Sequence, residues 1–291
     1  MGNYIKLVRS LAELNAFKSS NDYVIPSIIL VDDNDNINYN QYIPPHDYSR
    51  DYLTFEALES GTFAFTNSIN YSIDDGETWT SLSANTNTPT INVGDKIMFK
   101  ATLYPVSSNG IGTFSSTGEF NIMGNIMSLL YGDNFFGQVS LYEKNYAFYN
   151  LFNNCTKLIN AENLSLPATT LEESCYSNMF SGCTSLTTAP ELPATTLEES
   201  CYSNMFLGCS SLIAAPELPA TKLVKQCYCY MFLGCKNLNN ITCLATNMES
   251  GYTDYWVSGV AVTGTFTKAA SMNDWSHGDS GIPNGWTVEN A

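Results

Sequence analysis

"LPATTLEESCYSNMF" occupies Leu166–Phe180, and the same fifteen residues return at Leu192–Phe206. A divergent copy reads "LPATKLVKQCYCYMFLGCKNL" from Leu218, and a degenerate earlier one reads "NLFNNCTKLINAENLSLPATT" from Asn150, two residues longer between Leu158 and Leu166. Cys175, Cys201 and Cys227 are 26 residues apart, as are Cys183, Cys209 and Cys235. A period of this size marks stacked units, each too small to bury both of its faces, so that the partner each copy needs is its neighbour. Cys175, Met179 and Cys183 recur at helical spacing, with Tyr176, Phe180 and Cys183 on the adjoining face, so "CYSNMFSGC" predicts a short helix or helical turn. "TTAPE", between Leu186 and Leu192, predicts one extended rung of a narrow parallel sheet. Pro167, Pro193 and Pro219 close the rungs by withholding a backbone donor.

Nine cysteines in a small secreted chain would suggest disulfides, but their periodic placement predicts something else. A cysteine at a fixed place in each repeat is a small apolar filler stacked on its own copies. Cys175, Cys183, Cys201, Cys209, Cys227 and Cys235, with Phe180, Phe206 and Phe232, form the expected ladder. Zinc is the sharper alternative, hinted at by Cys227 and Cys229 in "CYC", but no two cysteine pairs stand at CxxC-like spacing.

Composition narrows the partners. The 291 residues are 44% hydrophobic, enough for substantial cores, and carry 12 Lys and Arg against 28 Asp and Glu. A net charge of −16 repels nucleic-acid phosphates and anionic headgroups. The longest apolar run, Cys227–Leu233, is far short of the roughly 20 residues a membrane span needs. "MGNYIKLVRSLAELNAFKSS" has no apolar signal-like core and no cleavage site, and a chain assembled in a reducing cytosol tolerates free thiols.

Upstream of the repeats the period is two. "GTFAFT", "INYSID", "TWTSLS", "KIMFKATLY" and "GTFSSTGEFNI" alternate apolar and polar residues between Gly, Asn, Asp and Pro, predicting a small antiparallel sandwich within residues 51–124. Ser72–Trp79, "SIDDGETW", resembles the Asp-box of sialidases. There the box is a structural hairpin, which implies Asp74 bonding the turn, Gly76 at positive φ and Trp79 buried. A sialidase also needs an arginine triad, whereas this chain has only Arg9 and Arg50.

Other catalytic patterns are missing from the sequence. His46 and His277 cannot supply a three-His metal site, and no HExxH, GxSxG or P-loop spacing occurs. A carboxylate pair remains open, because any two of 28 acids could meet in the fold. Glu172–Glu173 and Glu198–Glu199 are duplicated with their repeat and replaced by Val224 and Lys225 in the next, which favours a solvated turn. "VDDNDN" at Val31–Asn36 lacks the glycine and distal glutamate of a calcium loop and reads as a hairpin turn. No catalytic, cofactor or metal residue is assigned.

Residues 251–291 leave the 26-residue period and bring in Trp256, Trp275 and Trp286. They predict a hydrophobic cap on the last repeat, with sugar stacking on an exposed indole as the alternative. In residues 1–50, "NYIKLVRS" predicts a strand, "LAELNAFKSS" a helix with Ser10 as its cap, and "YVIPSIILVDDNDNINYNQY" a hairpin. Ile5, Leu7, Ile25, Ile29 and Val31 are apolar at alternating strand positions, yet the segment is too short to cover them alone. A symmetric partner surface is expected.

Two resemblances bear on function. "MF-GC-SL---PELPATTLEESCY" resembles the BspA-like leucine-rich repeat over about Asn150–Met248, with Phe180, Cys183, Leu186, Leu192 and Pro193 in place. That family implies an interaction scaffold rather than a catalyst. The order of a "YIK" strand, a helix and a "VDD-N" hairpin resembles the N-terminal attachment module of appendage proteins of crAss-like gut Bacteroidetes phages. Together these imply a mainly β (α+β) chain: an attachment and oligomerisation segment at 1–50, a β-sandwich at 51–124, a leucine-rich-repeat solenoid at 125–250 and an aromatic cap at 251–291. The implied protein is a head or tail fibre of the virion, a homotrimer bound to capsid or other virion proteins by its N-terminus. It would meet a host surface glycan or protein through its repeats. A bacterial cell-surface adhesin is the alternative, and a carbohydrate-active enzyme a weaker one.

Overall fold

A computed structural model describes residues 6–8, 28–30, 50–106, 109–273 and 275–291, the first two stretches by their backbone alone. The chain divides into two compact units, Met1–Arg50 and Asp51–Ala291. In the first, β1 (Lys6–Val8) and β2 (Ile28–Leu30) pair in parallel with Leu7 opposite Ile29. Ile5, Ile25 and Val31 lie outside the described residues, as do the expected helix and the Val31–Asn36 turn.

The second unit begins with β3 (Leu53–Ala57), β4 (Phe63–Phe65), β5 (Ile69–Ser72), β6 (Thr80–Leu82), β7 (Lys96–Lys100), β8 (Phe114–Ser116) and β9 (Phe120–Asn125). A four-residue helix, α1 (Ser128–Tyr131), follows. It is succeeded by β10 (Leu158–Ser165), β11 (Asn240–Cys243), β12 (Thr265–Lys268) and β13 (Thr287–Asn290). The molecule is thus mainly β. Strands β3 to β9 pair antiparallel in two layers, a sheet of β9, β3, β7, β5 and β6 and a two-stranded sheet of β4 and β8. Phenylalanines fill the space between them: Phe55 lies 5.2 Å from Phe63 and 4.9 Å from Phe114, and Phe99 lies 5.1 Å from Phe114. The larger sheet is not purely antiparallel, because β10, from the first repeat, joins β9 in parallel. One hydrophobic core therefore runs from the sandwich into the repeats.

The repeats stack through a division of backbone donors. Within 174–183, the N–H groups of Ser177, Met179, Ser181 and Cys183 donate to carbonyls three residues back. Those of Ser174, Tyr176, Asn178, Phe180 and Gly182 donate to Glu199, Cys201, Ser203, Met205 and Leu207 of the next copy. Of the short helix or helical turn expected at "CYSNMFSGC", the helix does not form; the segment is a run of tight turns. An α-helix spends its donors on its own i−4 carbonyls and would leave none for the neighbouring copy. Left-handed residues at every fourth position reverse the winding: Ser174 (φ 53°), Asn178 (57°) and Gly182 (75°). The third of these positions is glycine in successive copies, Gly182, Gly208 and Gly234. An added Cβ at Gly234 would sit 3.7 Å from the Gly208 Cα, inside the approach of one turn to the next.

On the opposite side, proline density decides which rungs become strands. β10, β11 and β12 contain no proline. Between β10 and β11, "TTAPELP" and "IAAPELP" carry two each and contribute only isolated parallel bridges, Asn160 to Thr188, Ala214 to Asn240 and Leu218 to Cys243.

The stack also continues where the sequence period stops. Gln226, Tyr228, Tyr230, Phe232 and Gly234 donate to Gly251, Tyr252, Asp254, Trp256 and Ser258, so residues 251–259 form a further turn, followed by the parallel rungs β12 and β13. The periodicity ends in sequence before it ends in space, because the turn needs backbone geometry and apolar bulk rather than particular side chains.

Leu192 and Phe206 are buried, at 3% and 0% exposure, whereas Glu198 is exposed. Leu192→Ala or Phe206→Ala should lower stability by about 2 to 5 kcal/mol in urea unfolding. Glu198→Ala should change it by less than about 0.5 kcal/mol.

Candidate functional site

Inside the turns, identical side chains lie against one another. One aromatic column runs Phe114, Phe152, Phe180, Phe206, Phe232, with successive centroids 5.6, 5.5, 5.4 and 5.8 Å apart and rings within 15° of parallel. A second runs Phe148, Tyr176, Tyr202, Tyr228, Trp256 at 5.5 to 6.2 Å. The sandwich supplies the first member of the Phe column, so the start of the stack is covered by the domain before it.

All nine cysteines are free and buried. They do more than fill space. The Sγ–H groups of Cys183, Cys209 and Cys235 each donate to the carbonyl of Phe152, Phe180 and Phe206 respectively, at 3.1 Å in every case. The ladder is thus a periodic set of weak hydrogen bonds between copies. Burial pushes the thiols of Cys175 and Cys235 up to about 12, and those of Cys183, Cys201 and Cys209 well above the ordinary range. Such groups are held neutral and are poor nucleophiles.

The other sequence candidates lie apart. In the Ser72–Trp79 hairpin, Asp74 accepts from the Ser72 hydroxyl (2.6 Å), the Thr78 hydroxyl (2.6 Å) and the Thr78 N–H (2.9 Å), which together lower its carboxyl to about 2. Gly76 has φ 80°, as the resemblance implies. Trp79, expected to be buried, is half-exposed; it donates to the Gly76 carbonyl and carries Lys100 Nζ 4.1 Å from its ring centre. The duplicated glutamates engage surface neighbours: Glu199 pairs with Lys225 at 2.5 Å, and Glu173 accepts from the Tyr146 hydroxyl at 3.1 Å.

Trp256, Trp275 and Trp286 are 0%, 7% and 5% exposed, so their faces are packed and cannot serve as open platforms for a sugar ring. Trp256 and Trp286 donate to the carbonyls of Gly281 and Ala261, and Trp275 lies 4.7 Å from Phe266. Closing the last turn requires bulky side chains, and the indoles supply it.

The outer surface holds an open groove of about 330 Å³ lined by Glu162, Asn163, Leu164, Ser165, Leu166, Pro167, Glu191 and Pro193. It also holds a feature that reading the period alone missed. The middle left-handed position of each turn is Asn150, Asn178 and Asn204, and then Tyr230 and Tyr255. These two tyrosines are 38% and 53% exposed and stacked at 5.8 Å with an interplanar angle of 8°. Aligning "CYSNMF" with "CYCYMF" would have flagged Tyr230; nothing in the linear sequence pairs it with Tyr255.

Among the described residues, no group of three or more His, Cys, Asp or Glu is placed to hold a metal ion, and no helix is long and apolar enough to cross a membrane. No protein-family model, curated protein or solved structure matches this chain.

The thiols carry two expectations. Titration of the denatured, unreduced protein should find nearly all nine free, and the native protein should react far more slowly. A thiol held near 12 when folded, against an ordinary value of 9.0, favours the folded state below pH 9. Above that pH the unfolded chain releases protons that the fold retains, so stability is progressively lost as pH rises toward 12. The urea midpoint should fall between pH 8 and pH 10 and keep falling above it. A flat profile would mean that the thiols ionise in place.

Proposed function

We propose that this chain is a structural appendage of a bacteriophage particle, a head or tail fibre, and not a catalyst. Its N-terminal unit attaches to capsid or other virion proteins and assembles as a homotrimer. Its stacked turns are a BspA-like leucine-rich-repeat solenoid presented to a host surface glycan or protein. One observation carries the non-catalytic reading: the repeating nucleophilic and phenolic groups, Cys175, Cys201, Cys227 and Tyr176, Tyr202, Tyr228, are all buried, the tyrosines stacked on one another. The carboxylates duplicated with the repeat, Glu198 and Glu199, face solvent, which suits a scaffold.

The division at Arg50 supports a separate attachment role for the N-terminus. Among the described residues β1 and β2 form a two-stranded sheet, marginal by itself, which suits a partner surface. Their register sets Leu7 against Ile29, two of the residues expected on the shared surface. Three-fold symmetry rests on the resemblance to phage fibres, and closed symmetry on the need to cover the apolar strand positions read from the sequence.

Deleting Met1–Ser49 should leave a folded monomer that no longer joins particles, measured by sedimentation and by incorporation into virions during infection. A truncated chain that still assembles and still decorates particles would move attachment to the sandwich and overturn this division of labour.

A further inference from the structure

We infer that Tyr230 and Tyr255, on the last two turns of the stack, form a docking platform for a neutral saccharide chain. This deepens the proposed function and rests on it for the role of the stack as the presenting surface.

The repeats provide an internal comparison. Between the copies at 200–209 and 226–235 the inward positions are kept: Cys201 and Cys227, Tyr202 and Tyr228, Met205 and Met231, Phe206 and Phe232, Cys209 and Cys235. The outward middle position changes from Asn204 to Tyr230. That position has φ 57° at Asn178, 56° at Asn204 and Tyr230, and 51° at Tyr255. Asparagine adopts this region readily, whereas a bulky aromatic residue there is an outlier held against its own preference. Strain of this kind, kept in two adjacent turns at side chains that add nothing to the core, points to use of the surface.

The geometry suits a sugar. The two stacked rings, parallel to within 8° and 5.8 Å apart, turn part of their faces toward each other and at 38% and 53% exposure leave the rest open as an apolar strip, of a kind that packs against the C–H groups of pyranose rings. Polar groups border the strip. Asp254 lies beside Tyr255 in the chain and holds the Gly251 N–H at 3.1 Å. Asp279 holds the Ser258 hydroxyl at 3.1 Å in the same turn, while Ser280 Oγ accepts the Tyr255 N–H at 2.9 Å. Carboxylates accept hydrogen bonds from hydroxyls and repel anions, and the whole chain is at −16. A neutral saccharide meets both conditions; a sulfated, phosphorylated or sialylated one does not.

The test uses the full chain and its Tyr230→Asn with Tyr255→Asn variant, which restores the residue used at the other turns. The readouts are thermal midpoint, binding to host cells, and retention on resins carrying mannan, galactan or heparin. The wild type should be retained on a neutral resin and not on heparin. The variant should keep its thermal midpoint or raise it, while losing about tenfold or more in affinity. A variant that binds cells and resins as well as the wild type would overturn the platform and leave the binding role of the stack intact. A variant that loses stability together with binding would make the pair a structural staple and also overturn it. Cell binding that survives removal of glycans but not proteolysis would replace the saccharide by a protein. A wild type that binds neither cells nor resin would remove the binding role itself.

Discussion

The structure depends on how its turns share out backbone hydrogen bonds. Alternate N–H groups close the turn locally, and the intervening ones reach the next copy, so neither a turn nor its neighbour is satisfied alone. Buried backbone donors without partners are costly, which makes the stack cooperative along its axis. The left-handed residue at every fourth position is the device that permits this, and it explains the Ser, Asn and Gly at these places. Tyr146, Tyr230 and Tyr255 meet the same backbone requirement with a residue poorly suited to it.

That hydrogen-bond spacing brings equivalent side chains into contact, and the side chains then decide how well the turns pack. Phe180 over Phe206 at 5.4 Å and 3° is a nearly parallel stack that only like residues in like rotamers achieve. The thiols fit because they are small, apolar and able to donate one weak bond to the Phe carbonyl of the preceding copy. A serine there would have a larger desolvation cost, and an alanine would lose the bond. The same burial that makes cysteine suitable makes it sensitive to alkali, since a thiolate has no favourable surroundings in the stack.

A stack of turns has two ends, and the chain treats them differently. At the start, the sandwich contributes β9 to the parallel edge and Phe114 to the aromatic column, so the first repeat meets a surface already matched to it. At the finish, a turn with little sequence likeness, three tryptophans and the rung β12 complete the core, and β13, exposed along its length, ends the parallel ladder. Sandwich, repeats and closing segment share one hydrophobic core.

The sequence by itself determined the period, the cysteine and phenylalanine columns, their burial, the period-two strands upstream and the hairpin at Ser72–Trp79. Each of these rests on spacing or on a local turn, which a linear reading retains. It left "CYSNMFSGC" between a short helix and a helical turn, because a spacing of three and four residues between apolar positions is common to a helix and to successive four-residue turns. Only the destination of the N–H groups separates the two. It ended the repeats at Gly251, because the last turn keeps its backbone path while changing its side chains. It left the tryptophans open between core and platform, since exposure is a property of the neighbours and not of the residue. The pairing of Tyr230 with Tyr255 belongs to the tertiary structure alone: two residues 25 positions apart become adjacent because the hydrogen bonds of one turn set the height of the next.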